Sequence, residues 1–390
     1  MPAAKQTQDV TFSINRAELA RELDFVASAS EQKTTIPILS SVKAQLRGDG
    51  LHLVATSMDS TSQSCVAFES GFDSDPFCVE LKRFRAIVQK MKGEEIKLGV
   101  GAKLLIQDGK SKFTLDLMDA KAFPDVETVE GQTVTLPTEA LSVALALTRH
   151  SIGVDERTAL DSLRLKVSPD AIQMVGSDAQ KFACAEVAAN TGQSATVAIS
   201  RMLFSSLDSL LSLAEDSVDM TVADKKAVKL SSGNRAISGR LTTKESPTFD
   251  AMLDAPSEAL ATIQKDELIG ALDRLMVVIL DDSLNKSVKA VDYTLDTEEL
   301  YFTAGSTVGD GVEFIEPIGT TDVLESAGRF NAAAVMAGIA VSKSESLAFG
   351  LIRNREGKDF AYRFASSWVL KSGAEVRYQF IAGKMAKTGG

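Results

Sequence analysis

A strand-like run that reaches a short polar cap and passes at once into an amphipathic helix occurs three times in this sequence. The copies read FSINRAELARELDFVA, VTLPTEALSVALALT and ATIQKDELIGALDRLMVV, with Leu19, Leu141 and Leu268 in equivalent places. A second signature, an alternating strand ending in a small polar turn, appears as LHLVATSMD, IQMVGSDAQ and LYFTAGSTV, led by Leu51, Ile172 and Leu300. A third joins a strand to a helix in FCVELKRFRAIVQKM, TVAISRMLFSSLDSL and GRFNAAAVMAGI, and AFPDVE around Pro124 is echoed by SPTFDAML around Pro247. The markers keep one order and one period of about 125 residues, which is too long for a solenoid repeat and is the size of a domain. The spacing therefore predicts three similar domains, at residues 1–128, 129–254 and 255–390.

Each unit is expected to hold two helices and about eight short strands. Leucines and valines three and four apart (Leu19, Leu23, Val26; Leu203, Leu207, Leu210; Leu268, Leu272, Leu275, Ile279) give each helix one apolar stripe. VKAVDYTLD alternates as a half-buried strand does, and GDG, GVGAK and QDGK read as hairpin turns. The fold class is α+β, antiparallel sheets with helices on one face. In KTTIPILSSV, Pro37 cannot donate to a sheet ladder and is expected to open a strand, with Lys33, Thr34 and Thr35 forming the turn after the first helix.

Net charge is −11, which argues against a surface that grips nucleic acid by charge alone. The charge is segregated, however. LKRFRAIVQKMK carries Lys82, Arg83, Arg85, Lys90 and Lys92 with no acid among them, a pattern that also fits a solvated helix face. No apolar run approaches a membrane span, and MPAAKQTQDV lacks the apolar core of a signal peptide, so a cytoplasmic location is expected. Cys65, Cys78 and Cys184 are scattered and read as small buried hydrophobes, neither a disulfide framework nor a metal site. His52 lies on an alternating strand. His150 closes a helix, where its cationic form would suit the helix dipole. No nucleophile elbow, phosphate loop or metal-ligand spacing appears, and Asp281 and Asp282 sit in a solvated loop, so neither an enzyme nor a cofactor is expected.

In serial order, KTTIPILSSV, LHLVATSMD, AFPDVE, DERTALDSLRLKV and IQMVGSDAQKFA resemble the bacterial sliding clamp, the beta subunit of DNA polymerase III. The resemblance covers nearly the whole chain. It implies a homodimeric ring of six domains joined head to tail, helices lining the hole, sheets forming the outer wall, and no catalytic activity. The partners it implies are duplex DNA held without regard to sequence, the polymerase III catalytic subunit, the clamp loader and other proteins with a clamp-binding peptide; no membrane is among them. A tether that slides needs enclosure and a few sequence-neutral phosphate contacts, which a net negative chain can supply.

By the same resemblance Lys33, Lys82, Arg83 and Arg201 are DNA-proximal, as are Arg149 and Arg157. The dimer interface would join Phe113 and Leu115, on one face of SKFTLDL, to Val277 and Val278, or their neighbours Ile279 and Leu280, of the other subunit. The partner-peptide cleft would be walled by Leu160, Ser177, Ala179, Gln180, Lys181, Phe182, Pro247, Met252, Val288, Phe380, Ile381 and Ala382. Here the sequence departs from the family. Ser-Asp-Ala-Gln-Lys-Phe stands where Thr-Asp-Gly-His-Arg-Leu is usual, and the chain ends in RYQFIAGKMAKTGG, whose Lys384, Lys387 and glycines read as a disordered extension. A second reading is a clamp-like interaction scaffold that no longer encircles DNA.

Overall fold

At each of the three repeated joints a strand runs without a break into the helix that follows. The computed structural model describes residues 10–30, 34–154, 159–223, 226–242, 249–280, 289–296, 299–306, 309–320, 325–354 and 357–386. Strand Val10–Asn15 runs into helix Arg16–Ala27, and Asn15 Oδ1 accepts from the Glu18 amide at 3.0 Å. Asn331 does the same for helix Ala332–Ala340 through the Ala334 amide at 2.9 Å. A side-chain acceptor at this position satisfies an amide that the first turn leaves without a partner.

One succession of elements occurs three times along the chain: strand, helix, three strands, strand, helix, three strands. In the third copy a two-residue strand, Gly319–Thr320, is added. Helix stripes Leu19, Leu23, Val26 and Leu268, Leu272, Leu275, Ile279 are buried, as the periodicity predicts.

The chain divides into two compact units, residues 1–138 with 200–241, and residues 139–199 with 242–390. In the first unit a twelve-stranded antiparallel sheet ends with Val10–Asn15 on one side and Gln132–Pro137 on the other. Its halves join where Ser60–Ala67 pairs with Arg235–Arg240, Ser64 opposite Arg235. In the second unit a nine-stranded sheet is joined in the same way, Lys181–Ala188 against Glu375–Gly383, with Phe182 opposite Ile381. A four-stranded sheet in this unit ends at Asp310–Ile315. Its core is aromatic: the Tyr293 ring meets Phe349 and Tyr362 edge-on at 5.1 and 5.3 Å. Gly338 is obligatory in its helix because a Cβ there would land on the Phe380 ring.

Pro37 does not open a strand. Pro37–Ser40 is a 3-10 turn with the proline at its first position, and the strand begins at Ser41. The fixed φ of proline suits the first turn of a helix as well as a strand end, and the Leu39 amide closes the turn on the Ile36 carbonyl at 3.0 Å.

Candidate functional site

The basic run lies on helix Leu81–Lys90, where Leu81, Phe84 and Val88 are buried and Lys82, Arg83 and Lys90 are exposed. Its charge is partly neutralised. Arg83 pairs with Glu80 at 3.2 Å, and Arg85 pairs with Asp24 of the first helix at 3.0 Å. Lys82 and Lys90 have no ion-pair partner among the described residues. Arg201 is exposed at the 3-10 turn Arg201–Leu203 that leads into helix Phe204–Leu213, and Arg149 is exposed after helix Thr138–Thr148. Lys33, Arg157 and the Asp281–Asp282 pair lie outside the described residues.

Two strands with open edges carry exposed apolar side chains. Strand Ser111–Met118 pairs through Ser111 to Asp116 with Lys103–Asp108, but on its other side only Leu117 and Met118 meet a neighbour among the described residues. Phe113 stands exposed on it, with Leu115 half-buried on the same face. Among the described residues, strand Asp310–Ile315 pairs only with Glu299–Gly305. It presents Val312 and Phe314 to solvent at alternate positions, 53% and 67% exposed. Val277, on helix Lys265–Leu280, is exposed and Val278 half-buried. Sequence reasoning missed Val312 and Phe314. The signal was present in GVEFIE, where apolar residues alternate with nothing on their face to cover them.

A groove of about 880 Å³ in the second unit is lined by Ala179, Gln180 and Lys181, by Ala334 and Ala337 of one helix, and by Phe360 and Ala382. Its floor turns on Ala179, which adopts φ +72. Asp178 holds this turn by accepting from the Gln180 and Lys181 amides at 2.9 and 2.8 Å. Ser177 is buried below it and donates to the Lys181 carbonyl at 3.0 Å. Beside the groove lies an apolar cluster of Val175, Phe182, Cys184, Phe249, Ile352 and Ile381, against which Leu160 and Met252 pack. The Phe182 and Phe249 rings are 5.5 Å apart. Segment 249–255 is pinned by two guanidinium groups. Arg164 pairs with Asp250 at 2.9 Å and lies over the Phe249 ring, and Arg363 donates to the Met252, Leu253 and Ala255 carbonyls at 3.0 to 3.3 Å.

Pro247 and Val288 lie outside the described residues. Phe380 is not part of the cluster wall. Neighbours on a strand face opposite ways, so with Ile381 in the cluster, Phe380 points to the other face, 5.8 Å from the His150 ring. The chain end is also more ordered than its composition suggests. Lys384 pairs with Asp359 at 2.8 Å, and the Met385 amide bonds the Arg329 carbonyl at 2.9 Å. The Lys384 hydrogen bond, with Arg353 beside it, holds the Asp359 carboxyl below the usual carboxylate range against a smaller opposing effect of burial. Lys387 and the glycines after it fall outside the described residues.

His150 is not a helix-end cation. Burial pushes its pKa down to about 4, with Lys181 adding to the effect and the Leu147 carbonyl and Asp178 opposing it. Its Nε2–H faces the Leu147 carbonyl at 3.0 Å and the Tyr378 hydroxyl oxygen at 3.1 Å, while Ser151 Oγ lies 3.2 Å from Nδ1. The neutral ring with its proton on Nε2 satisfies every contact. Of the cysteines, Cys78 and Cys184 are buried, but Cys65 is only half-buried and stands opposite His52.

Antiparallel sheets joined edge to edge, helices on one face, and one succession of elements repeated three times define the fold of a sliding clamp. Residues 10–127 match the family model described as DNA polymerase III beta subunit, N-terminal domain. The beta sliding clamp of Chlamydia pneumoniae is 25% identical over 308 residues, covering 77% of this chain and 82% of that protein. That of Caulobacter vibrioides is 26% identical over 294 residues, covering 71% and 77%. The fold also matches the crystal structure of the Pseudomonas aeruginosa sliding clamp bound to griselimycin, with a TM-score of 0.84, 19% identity, and coverage of 97% of this chain and all of that one. Over residues 10–127 the chain matches the DNA polymerase III beta subunit family, and over about three quarters of its length it is similar to beta sliding clamps.

Proposed function

We propose that this chain is a DNA sliding clamp, a non-catalytic processivity factor that encircles duplex DNA and tethers the replicative polymerase. The observation that carries this reading is the bookkeeping of sheet edges. In each in-chain junction the third strand after a repeat's first helix pairs with the last strand of the following repeat, as Ser60–Ala67 does with Arg235–Arg240 and Lys181–Ala188 with Glu375–Gly383. Carried one step further, the rule leaves Asp310–Ile315 seeking the last strand of a first repeat, Ser111–Met118, in another copy. Both edges are open and carry exposed Phe314 and Phe113. Two copies satisfy both pairs of edges, and head-to-tail pairing of this kind closes a ring of six domains.

The domains are then 1–128, 129–254 and 255–390. Lys82, Arg83 and Arg201, on helices or their first turns, are the contacts to phosphate, with Arg149 a further one. The groove over Ala179, Lys181 and Ala382, with the cluster of Phe182, Met252 and Ile381 beside it, receives the linear peptides of the polymerase III catalytic subunit, the clamp loader and other partners. Aromatic and aliphatic side chains in such a cleft anchor a peptide by burial. The clamp acts in the cytoplasm; no helix of the described residues is long and apolar enough to cross a membrane.

The test is retention on DNA of different topology. Protein loaded by a clamp loader onto a nicked circle should stay bound in high salt and run off once the circle is cut at a distant site. Equal retention on circle and linear DNA would refute enclosure.

A further inference from the structure

His52 on strand Gly50–Thr56 directly opposes Cys65 on strand Ser60–Ala67. The alternate residues Leu51, Leu53 and Val66 are buried, so His52 and Cys65 share the opposite, outward face of the sheet. Asp49 occupies the hairpin turn before the first of these strands and brings its carboxylate over the pair. Asp49 Oδ1 is 2.7 Å from His52 Nε2, and Cys65 Sγ is 3.7 Å from the same nitrogen. All three ligand atoms lie within 4.8 Å of one another.

We propose that Asp49, His52 and Cys65 form a three-ligand site for a divalent transition-metal ion of the zinc class, with water in the fourth position. Zinc–sulfur and zinc–nitrogen bonds of about 2.3 and 2.0 Å at a tetrahedral angle put sulfur and nitrogen about 3.5 Å apart. The observed separation is 3.7 Å, so these two ligands need almost no movement. Asp49 stands closer to the imidazole than two ligands of one ion do, because it hydrogen-bonds there. It is exposed in a turn, and retreating by about half an ångström makes it the third ligand. Sulfur, imidazole and one carboxylate together favour zinc-class ions over magnesium or calcium, which take oxygen ligands.

Burial raises the Cys65 thiol to about 11, and the charges of Asp49 and Glu22 add to this, with Arg47 opposing. The free thiol is therefore protonated, and an ion has to displace its proton to bind. On binding, the thiol proton leaves to solvent and the imidazole carries its remaining proton on Nδ1. The face is the one away from the helices, so occupancy is independent of the DNA contacts proposed above.

The experiment is titration of the full-length, reduced protein with Co²⁺, followed by absorbance. One equivalent should give a sulfur-to-cobalt charge-transfer band and the visible bands of a tetrahedral ion, and Zn²⁺ should bleach both. Cys65→Ser should abolish the charge-transfer band, and His52→Ala should weaken binding at least tenfold, with circular dichroism showing both variants folded. Because Cys78 and Cys184 are buried, they do not supply a rival thiolate. Absence of a charge-transfer band at excess Co²⁺, or its persistence in Cys65→Ser, overturns the assignment.

Discussion

Arg235 and Glu22 form a buried ion pair that ties a strand of the second repeat to the first helix of the chain. Arg235 Nε donates to Glu22 Oε2 at 2.8 Å, its Nη2 donates to the other carboxylate oxygen, and Ser64 Oγ donates to Oε2 at 2.6 Å. Glu22 is 1% exposed on the stripe that carries Leu19 and Leu23. Removing Arg235 leaves the buried Glu22 carboxylate with Ser64 and the half-exposed Arg21, whose Nε donates to Oε1 at 3.1 Å, so the charge is only partly compensated. Arg235→Ala should therefore destabilise the protein by about 3 kcal/mol, the low end for breaking a buried pair, read as a lower urea midpoint. Combining it with Glu22→Gln should recover much of that loss, because the stranded charge is gone. A double variant as unstable as the sum of the singles would show that the pair is not coupled.

Ala179 holds φ +72 at the turn that floors the groove. A left-handed backbone costs a residue with a Cβ roughly 1–2 kcal/mol, while glycine adopts it freely but loses more chain entropy on folding. The balance favours glycine by about 0.5–1 kcal/mol. Ala179→Gly should raise the urea midpoint accordingly, with no change in secondary structure by circular dichroism. Lower stability would mean that the turn does not hold this conformation in solution.

The parts of the fold that were legible in the sequence are those set by local pattern. Asn15 caps a helix, Leu19, Leu23 and Val26 stripe it, and the same grammar recurs at Leu141 and Leu268. What was hidden depends on partners distant in sequence. Nothing around Glu22 announces that Arg235 will neutralise it, and Phe380 and Ile381 read alike until strand pairing sends them to opposite faces. Cys65 and His52 looked isolated because their proximity arises from cross-strand register alone. Pro37 misled because one fixed φ serves both a strand end and a 3-10 turn. In the groove, Ala179, Gln180 and Lys181 were reached through the family motif. Asp359 and Phe360 carry no motif and enter only through the tertiary fold.

The open edges yield a prediction about assembly. Phe113 is 45% exposed on an unpaired strand edge, so in the isolated chain its ring contributes little to stability. At a junction it would be a buried aromatic anchor, the kind of residue whose loss costs at least about 2 kcal/mol in binding. Phe113→Glu should weaken dimerisation by thirtyfold or more in sedimentation equilibrium while leaving the unfolding of the monomer within about 0.5 kcal/mol of the parent. Phe314→Glu should act alike. A dimer indifferent to both substitutions would place the junction elsewhere.

His150 makes stability depend on pH in a direction that can be worked out. Its native pKa is about 4, against 6.5 for the free side chain. Above pH 6.5 the ring is neutral in both folded and unfolded chains and its titration contributes nothing. Between 6.5 and 4 the unfolded chain binds a proton that the native chain refuses, so stability falls as pH falls. From pH 7 to 4.5 this amounts to about 2.5 kcal/mol. His150→Gln removes the titration while keeping a side-chain N–H for the Leu147 carbonyl. Urea unfolding of both proteins at pH 7 and 4.5 and constant ionic strength isolates the effect from the carboxylates that titrate in the same range. The parent should lose about 2.5 kcal/mol more than the variant over that interval. Equal losses would mean that the ring accepts its proton in the native state near the ordinary pH, and that its contacts with Leu147 and Tyr378 do not exclude the imidazolium.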